Sequence, residues 1–202
     1  MNRTTVTITD NSARIPLPTW FVQQLQVLRQ NPPATGERLA TAIRLSRLAV
    51  TKRSGGPFGA LVVELGTGKI VGAGVNLVTA ANASILHAEM VALLTAQAEC
   101  ETYDLSLVRG GSALYSSTAP CAMCLGALVW AGISEVHCAA RTADAEAIGF
   151  DEGPKPVDWV KALEERGVEV HCDDRREDAV AVLQAYNRAG GPVYSPNRKK
   201  KS

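Results

Sequence analysis

Ser112-Ala113-Leu114-Tyr115-Ser116, then Pro120-Cys121-Ala122-Met123-Cys124-Leu125-Gly126-Ala127, then Glu135-Val136-His137-Cys138-Ala139: read in order, these three runs decide the fold. The first has the composition of a short buried strand, the second opens an apolar helical pattern that runs to Ala131, and the third is again strand-like with partly buried positions. Strand, helix and strand in that order predict parallel pairing with the helix laid over the sheet. Upstream, a helical pattern runs from His87 to Cys100. Phe58 to Glu64 and Lys69 to Val75 read as a strand pair joined by the turn Leu65-Gly66-Thr67-Gly68. Before them, Leu39, Ile43, Leu45, Leu48, Ala49 and Val50 line one face of a helix from Glu37 to Arg53, ended by Ser54-Gly55-Gly56-Pro57. Downstream, Trp159 to Arg166, Val168 to His171 and Arg175 to Arg188 read as helix, strand and helix. The whole predicts an α/β protein, a three-layer α/β/α sandwich around a mixed sheet of about five strands.

That pattern divides the chain into three parts. Residues 1–36 hold a polar start, the run Ile15-Pro16-Leu17-Pro18-Thr19-Trp20-Phe21, a helical pattern through Leu28 and a break at Asn31-Pro32-Pro33, and read as an appendage. Residues 37–153 form the core, and residues 154–202 add helix, strand, helix and an extended tail from Ala189. No internal repeat is present. With 202 residues and 46% hydrophobic content the chain can bury a sizeable core, which argues against a disordered protein. The start lacks the apolar stretch of a signal peptide and no apolar run is long enough to span a membrane, so a cytoplasmic protein is expected. Five cysteines, an odd number, argue against a disulfide framework. The net charge of +1 hides an uneven distribution: without Arg198, Lys199, Lys200 and Lys201, 17 basic residues of the 21 face 20 acidic ones, a net of −3. An acidic body is a poor match for nucleic acid, and a short basic end is weak support for it.

His87-Ala88-Glu89 and Pro120-Cys121-Ala122-Met123-Cys124 carry the chemistry. One imidazole and two thiolates supply three ligands to a tetrahedral zinc ion and leave the fourth position open, as a catalytic site requires. Glu89, two residues beyond His87, is placed to handle the proton of a water there. A lone Cys-x-x-Cys also occurs in redox pairs and as half of a four-cysteine structural site. Here no second pair follows, since Cys100, Cys138 and Cys172 are isolated in sequence, and a redox reading leaves His87-Ala88-Glu89 unexplained. Proline is tolerated at a helix start, so Cys121 is expected in the first turn with Cys124 on the same face. His137, Cys138, His171 and Cys172 lie in strand-like runs and are read as packing residues.

The His-x-Glu and Pro-Cys-x-x-Cys pattern resembles the cytidine-deaminase-like superfamily of zinc deaminases and, more closely, its bacterial guanine deaminases. The resemblance covers roughly residues 38–155. Its runs are Gly55-Gly56-Pro57-Phe58-Gly59-Ala60, Gly74-Val75-Asn76, His87-Ala88-Glu89, Pro120 to Ala127 and Glu146-Ala147-Ile148-Gly149-Phe150-Asp151-Glu152. It implies a zinc-dependent hydrolase that converts guanine to xanthine and ammonia, with aminotriazines such as ammeline as further substrates in a longer subgroup. His87, Cys121 and Cys124 are then the zinc ligands and Glu89 the proton shuttle. Asn76 hydrogen-bonds the purine, Ala88 is a further substrate contact, Phe58 and Trp130 shape the apolar pocket, and Glu152 faces the amino group being lost. A C-terminal segment ending in an aromatic residue, here matched by Tyr194, closes the site, often from the partner of a domain-swapped homodimer. The basic residues after Asn197 depart from that pattern. From the residues alone, Phe58 and Trp130 also read as core, Asn76 as a turn residue and Glu152 as a solvated loop carboxylate. Competing readings are a deaminase of guanosine or cytidine, a tRNA adenosine deaminase, and a non-catalytic zinc-stabilised module that binds nucleic acid.

Overall fold

A computed structural model describes the backbone of residues 7–9 and 12–194 and the side chains from Ile15 to Tyr194, so the basic C-terminal run lies outside the described residues. The elements in order are β1 (Thr7–Thr9), β2 (Ser12–Arg14), α1 (Thr19–Gln30), α2 (Arg38–Thr51), β3 (Gly59–Glu64), β4 (Ile70–Val75), α3 (Val78–Ala81) and α4 (Ala88–Cys100). They continue with β5 (Ser112–Thr118), α5 (Ala122–Trp130), β6 (Glu135–Ala140), α6 (Thr142–Ala147), α7 (Trp159–Glu164), β7 (Glu169–Cys172) and α8 (Arg176–Arg188).

Five strands make one mixed sheet in the order β4-β3-β5-β6-β7. β3 pairs antiparallel with β4 and with β5, whereas β5, β6 and β7 run parallel, as the strand-helix-strand reading requires. Alternation along the strands sends one set of apolar side chains to each face. Leu61, Val63, Ala73, Val75, Ala113, Tyr115 and Ala139 bury against α1, α2 and α8. Ala60, Val62, Leu114 and Val136 bury against α4, α5 and α7. The result is the expected three-layer α/β/α sandwich. The segment before residue 36 docks on it through Phe21, Leu25 and Leu28, all buried, and through Arg29, which donates to the Val71 carbonyl and pairs with Glu99.

α4 lies unusually close to the edge strand β4. A Cβ at Gly74 would stand 1.9 Å from the Ala88 carbonyl oxygen, and one at Gly72 2.3 Å from that of Ala92, so these two strand positions tolerate no side chain. That approach fixes where α4 begins, and with it His87 and Glu89.

Several elements differ from expectation. β5 runs two residues past Ser116 to Thr118, and α5 begins at Ala122, which makes Cys121 the capping residue rather than a member of the first turn. The hairpin β1–β2 and the short helices α3 and α6 were not expected. Each has three to six residues, too few for a hydrophobic period to show. No described helix is long and apolar enough to cross a membrane.

Candidate active site

His87 and Cys121 hold equivalent places: each caps the N-terminus of its helix in an extended conformation, His87 on α4 and Cys121 on α5. Their carbonyls accept the first bonds of those helices, from Val91 and Leu125. The positive ends of two helix dipoles therefore meet at one point. Cys124, one turn into α5, faces the same point. The Cys121 and Cys124 sulfurs lie 3.6 Å apart, and His87 Nδ1 stands 3.5 Å from the first and 3.8 Å from the second. A tetrahedral zinc with bonds of about 2.3 Å to sulfur and about 2.0–2.1 Å to nitrogen requires ligand separations of about 3.5–3.8 Å. The trio thus has the spacing and the donor chemistry to hold zinc. Cys121 is pulled down to about 4 by its hydrogen bond with Cys124, with His87 adding to the effect, and the same contact together with burial pushes Cys124 up.

Glu89 follows in the first turn of α4, where negative charge is favoured. It is buried; Ser116 donates to its Oε1 at 3.2 Å, and the Cys124 thiol lies 3.6 Å from its Oε2. Burial raises its pKa, the Cys121 thiolate adds to this, and His87 opposes it. His87 itself is raised, since its hydrogen bond to Cys121 and the carboxylates of Glu89 and Glu152 outweigh the burial that lowers it.

Glu152 reaches the same cavity from the loop after α6. Its carbonyl accepts from Ala122 N at 2.9 Å and so ties that loop to the start of α5. The carboxyl is buried rather than solvated, and burial with the nearby Cys121 and Glu89 charges pushes it up to about 8.

Asn76 directly follows β4 and is fully buried. Its Oδ1 accepts from Gly56 N and Val78 N, both at 3.2 Å, and its amide nitrogen donates to the Tyr194 hydroxyl. The turn role and the site role expected of Asn76 therefore belong to different atoms of one side chain. A Cβ at Gly56 would lie 2.8 Å from the Tyr194 hydroxyl, so the glycine leaves room for that ring. Tyr194 meets Phe150 edge to face at 5.3 Å, and Phe150 meets Phe58 in the same manner at 4.9 Å. These rings, the two carboxyls, Asn76, His87 and Cys121 line a cavity of about 430 Å³, within the range of small-molecule sites.

Two expected contacts are corrected. Trp130 is 86% exposed and lies off the cavity, because it ends the helix that Cys121 begins, nine residues and about 13.5 Å along the axis. Ala88 turns its methyl into the core between α4 and the sheet and not onto the cavity wall. Sequence alone gave no site role to Phe150, although it lies in the Glu146 to Glu152 run, or to Thr118, and both line the cavity. Phe150 supplies the ring that Trp130 does not, and Thr118 brings to the wall a buried hydroxyl with no hydrogen-bond partner among the described residues. For Thr118, sequence could have offered only its position, directly before the Ala119-Pro120-Cys121 turn.

The sequence profile of the cytidine and deoxycytidylate deaminase zinc-binding region matches residues 36–140, just over half of the chain. The guanine deaminase of Bacillus subtilis (strain 168) is 39% identical over 130 residues, which span 64% of this chain and 80% of that protein. A solved guanine deaminase from Nitrosomonas europaea superposes with a TM-score of 0.80 at 38% identity, covering 89% of this chain and 98% of that one. A solved complex with 2,6-diaminopurine superposes at 0.81 and 39% identity, covering 92% and 97%. With the histidine, the two cysteines and the buried glutamate of the zinc motif around one cavity, the chain belongs to the cytidine-deaminase-like family of zinc-dependent aminohydrolases, among the guanine deaminases.

Proposed function

We propose that this protein hydrolyses guanine to xanthine and ammonia. The observation that carries the reading is the presence of two buried carboxyls, Glu89 and Glu152, in the same aromatic-walled cavity as His87 and Cys121. A zinc ion held by His87, Cys121 and Cys124 would supply Lewis-acid charge that lowers the pKa of a water toward about 7. Glu89 takes one proton of the attacking water and passes it to the ring nitrogen beside C2 as the C–O bond forms, then takes the remaining hydroxyl proton and gives it to the departing amine as the C–N bond breaks and the C2 carbonyl forms. Ser116 holds one oxygen of Glu89 in place for this transfer. Glu152 faces the 2-amino group and steadies it. Because Asn76 commits its oxygen to the backbone, it offers the purine only N–H donors, which suit a ring nitrogen or carbonyl acceptor. Phe58, Phe150 and Tyr194 exclude water from the base.

In the single chain, Tyr194 reaches the cavity from the chain's own C-terminal segment. A homodimer finds its support elsewhere. Trp130, Tyr103 and Leu107 are all exposed, and the Leu105 N to Ala131 O bond of 2.8 Å ties the segment carrying Tyr103 and Leu107 to the end of α5. The free cysteines suit a reducing, cytoplasmic setting.

Ammonia release from guanine, guanosine, cytidine, adenosine, ammeline and a tRNA by the zinc-loaded protein tests the substrate. Guanine is expected to be turned over fastest. Faster turnover of a nucleoside or of tRNA would replace the proposal with one of the nucleoside or RNA readings, and faster turnover of ammeline would make the aminotriazine the preferred substrate.

A further inference from the structure

The chain has three histidines, and only His87 belongs to the cavity described above. The other two, His137 on β6 and His171 on β7, are register partners on adjacent parallel strands, and so are Glu135 and Glu169 two residues before them. Residues two apart on a strand share a face. Two Glu-x-His repeats therefore stand side by side as a square of four side chains on one face of the sheet, at its edge. His137 Nε2 lies 3.3 Å from Glu135 Oε2, and His171 Nε2 lies 3.0 Å from Glu169 Oε1. The two imidazole rings stack at 4.4 Å, and Tyr115 on β5 backs His137 at 4.3 Å on the inner side. Ligand atoms of Glu135, His137 and His171 all fall within 4.8 Å of one another.

We propose that Glu135, His137 and His171 form a second metal site that takes a divalent transition-metal ion of the zinc class, with Glu169 as the carboxylate that orients His171. Two imidazoles and a carboxylate suit zinc, copper or nickel, whereas calcium and magnesium take oxygen ligands. His137 is held against Tyr115. His171, its side chain 45% exposed on the edge strand, has room to turn from the stack and point its nitrogen at a shared ion. None of the four residues lines the catalytic cavity. An ion there pins β7 to β6 and leaves the edge strand less available for pairing with another chain.

The test is the number of zinc ions bound by the full-length, zinc-loaded protein dialysed against buffered micromolar Zn2+, counted by atomic emission. Two ions per chain are expected in the wild type and one in His171→Gln, with circular dichroism and ammonia release unchanged in that variant. Glu135→Gln should weaken the second ion by about 10- to 100-fold, as loss of a coordinating or supporting group does. Cys172→Ser should keep both ions, since the Cys138 and Cys172 sulfurs, 3.2 Å apart, alternate with the histidines and lie on the other face. A single ion in the wild type, a second ion retained by His171→Gln, or its loss in Cys172→Ser would each overturn the proposal.

Discussion

Thr118 carries a buried hydroxyl that no group among the described residues satisfies, on the wall of a cavity that already holds two carboxyls. A hydroxyl in that position contributes when a base or a water arrives to pair with it, by about 0.5–1.5 kcal/mol. Thr118→Val keeps the volume and removes the hydroxyl. It should raise KM for guanine severalfold and leave Tm unchanged or slightly higher; an unchanged KM would assign the hydroxyl no contact with substrate. At this scale the sequence was legible wherever residue type and spacing carry the chemistry themselves, as with His87, Glu89, Cys121 and Cys124. It was less so where direction matters. Trp130 and Phe150 are both large apolar residues near the motifs; the axial rise of α5 carries the first away to an exposed position, and the loop after α6 brings the second to the cavity wall.

The helices and strands that place the site were read mostly from their periods, because each buries one face. The boundary that matters most, the start of α5, moved by one residue, since capping geometry is set by backbone dihedrals and not by hydrophobic pattern. Close packing of elements left its sequence mark in glycines, at Gly59 beneath α2 and at Gly72 and Gly74 beneath α4. Gly74→Val would drive a side chain into the Ala88 carbonyl and push α4 off β4. A loss of about 1–3 kcal/mol is expected from such overpacking, together with weaker zinc retention because His87 rides on the same helix end; thermal melts and metal analysis would read both. At the start of α6, Asp144 accepts from Arg141 N at 2.8 Å and from Arg176 at 2.6 and 2.8 Å, and the Arg176 bonds hold its carboxyl below the usual range. Its contribution is therefore fully present above the ordinary carboxylate pKa of about 3.9 and is lost as pH falls through the lower folded value. Asp144→Asn should cost about 1 kcal/mol near neutral pH and flatten the acid limb of the stability curve. An acid limb identical to that of the wild type would contradict this.

Across the whole molecule, the apolar surface at the end of α5 is the place where a second copy is expected to pack. Trp130→Glu puts a charge in its centre and should convert a dimer to a monomer in light scattering without unfolding the chain; a variant that stays dimeric would move the interface elsewhere. Tyr194 reaches its own chain's cavity, so some guanine turnover should survive in that monomer. The central claim joins the zinc trio to the proton handler beside it, and zinc content measured together with xanthine formation, in the wild type and in Glu89→Gln, tests it most directly. Both proteins should hold zinc in the catalytic trio, and the variant should form xanthine slower by about 10²–10⁴-fold, the range of general acid–base assistance. A Glu89→Gln protein that keeps its zinc and turns guanine over at the wild-type rate would contradict it.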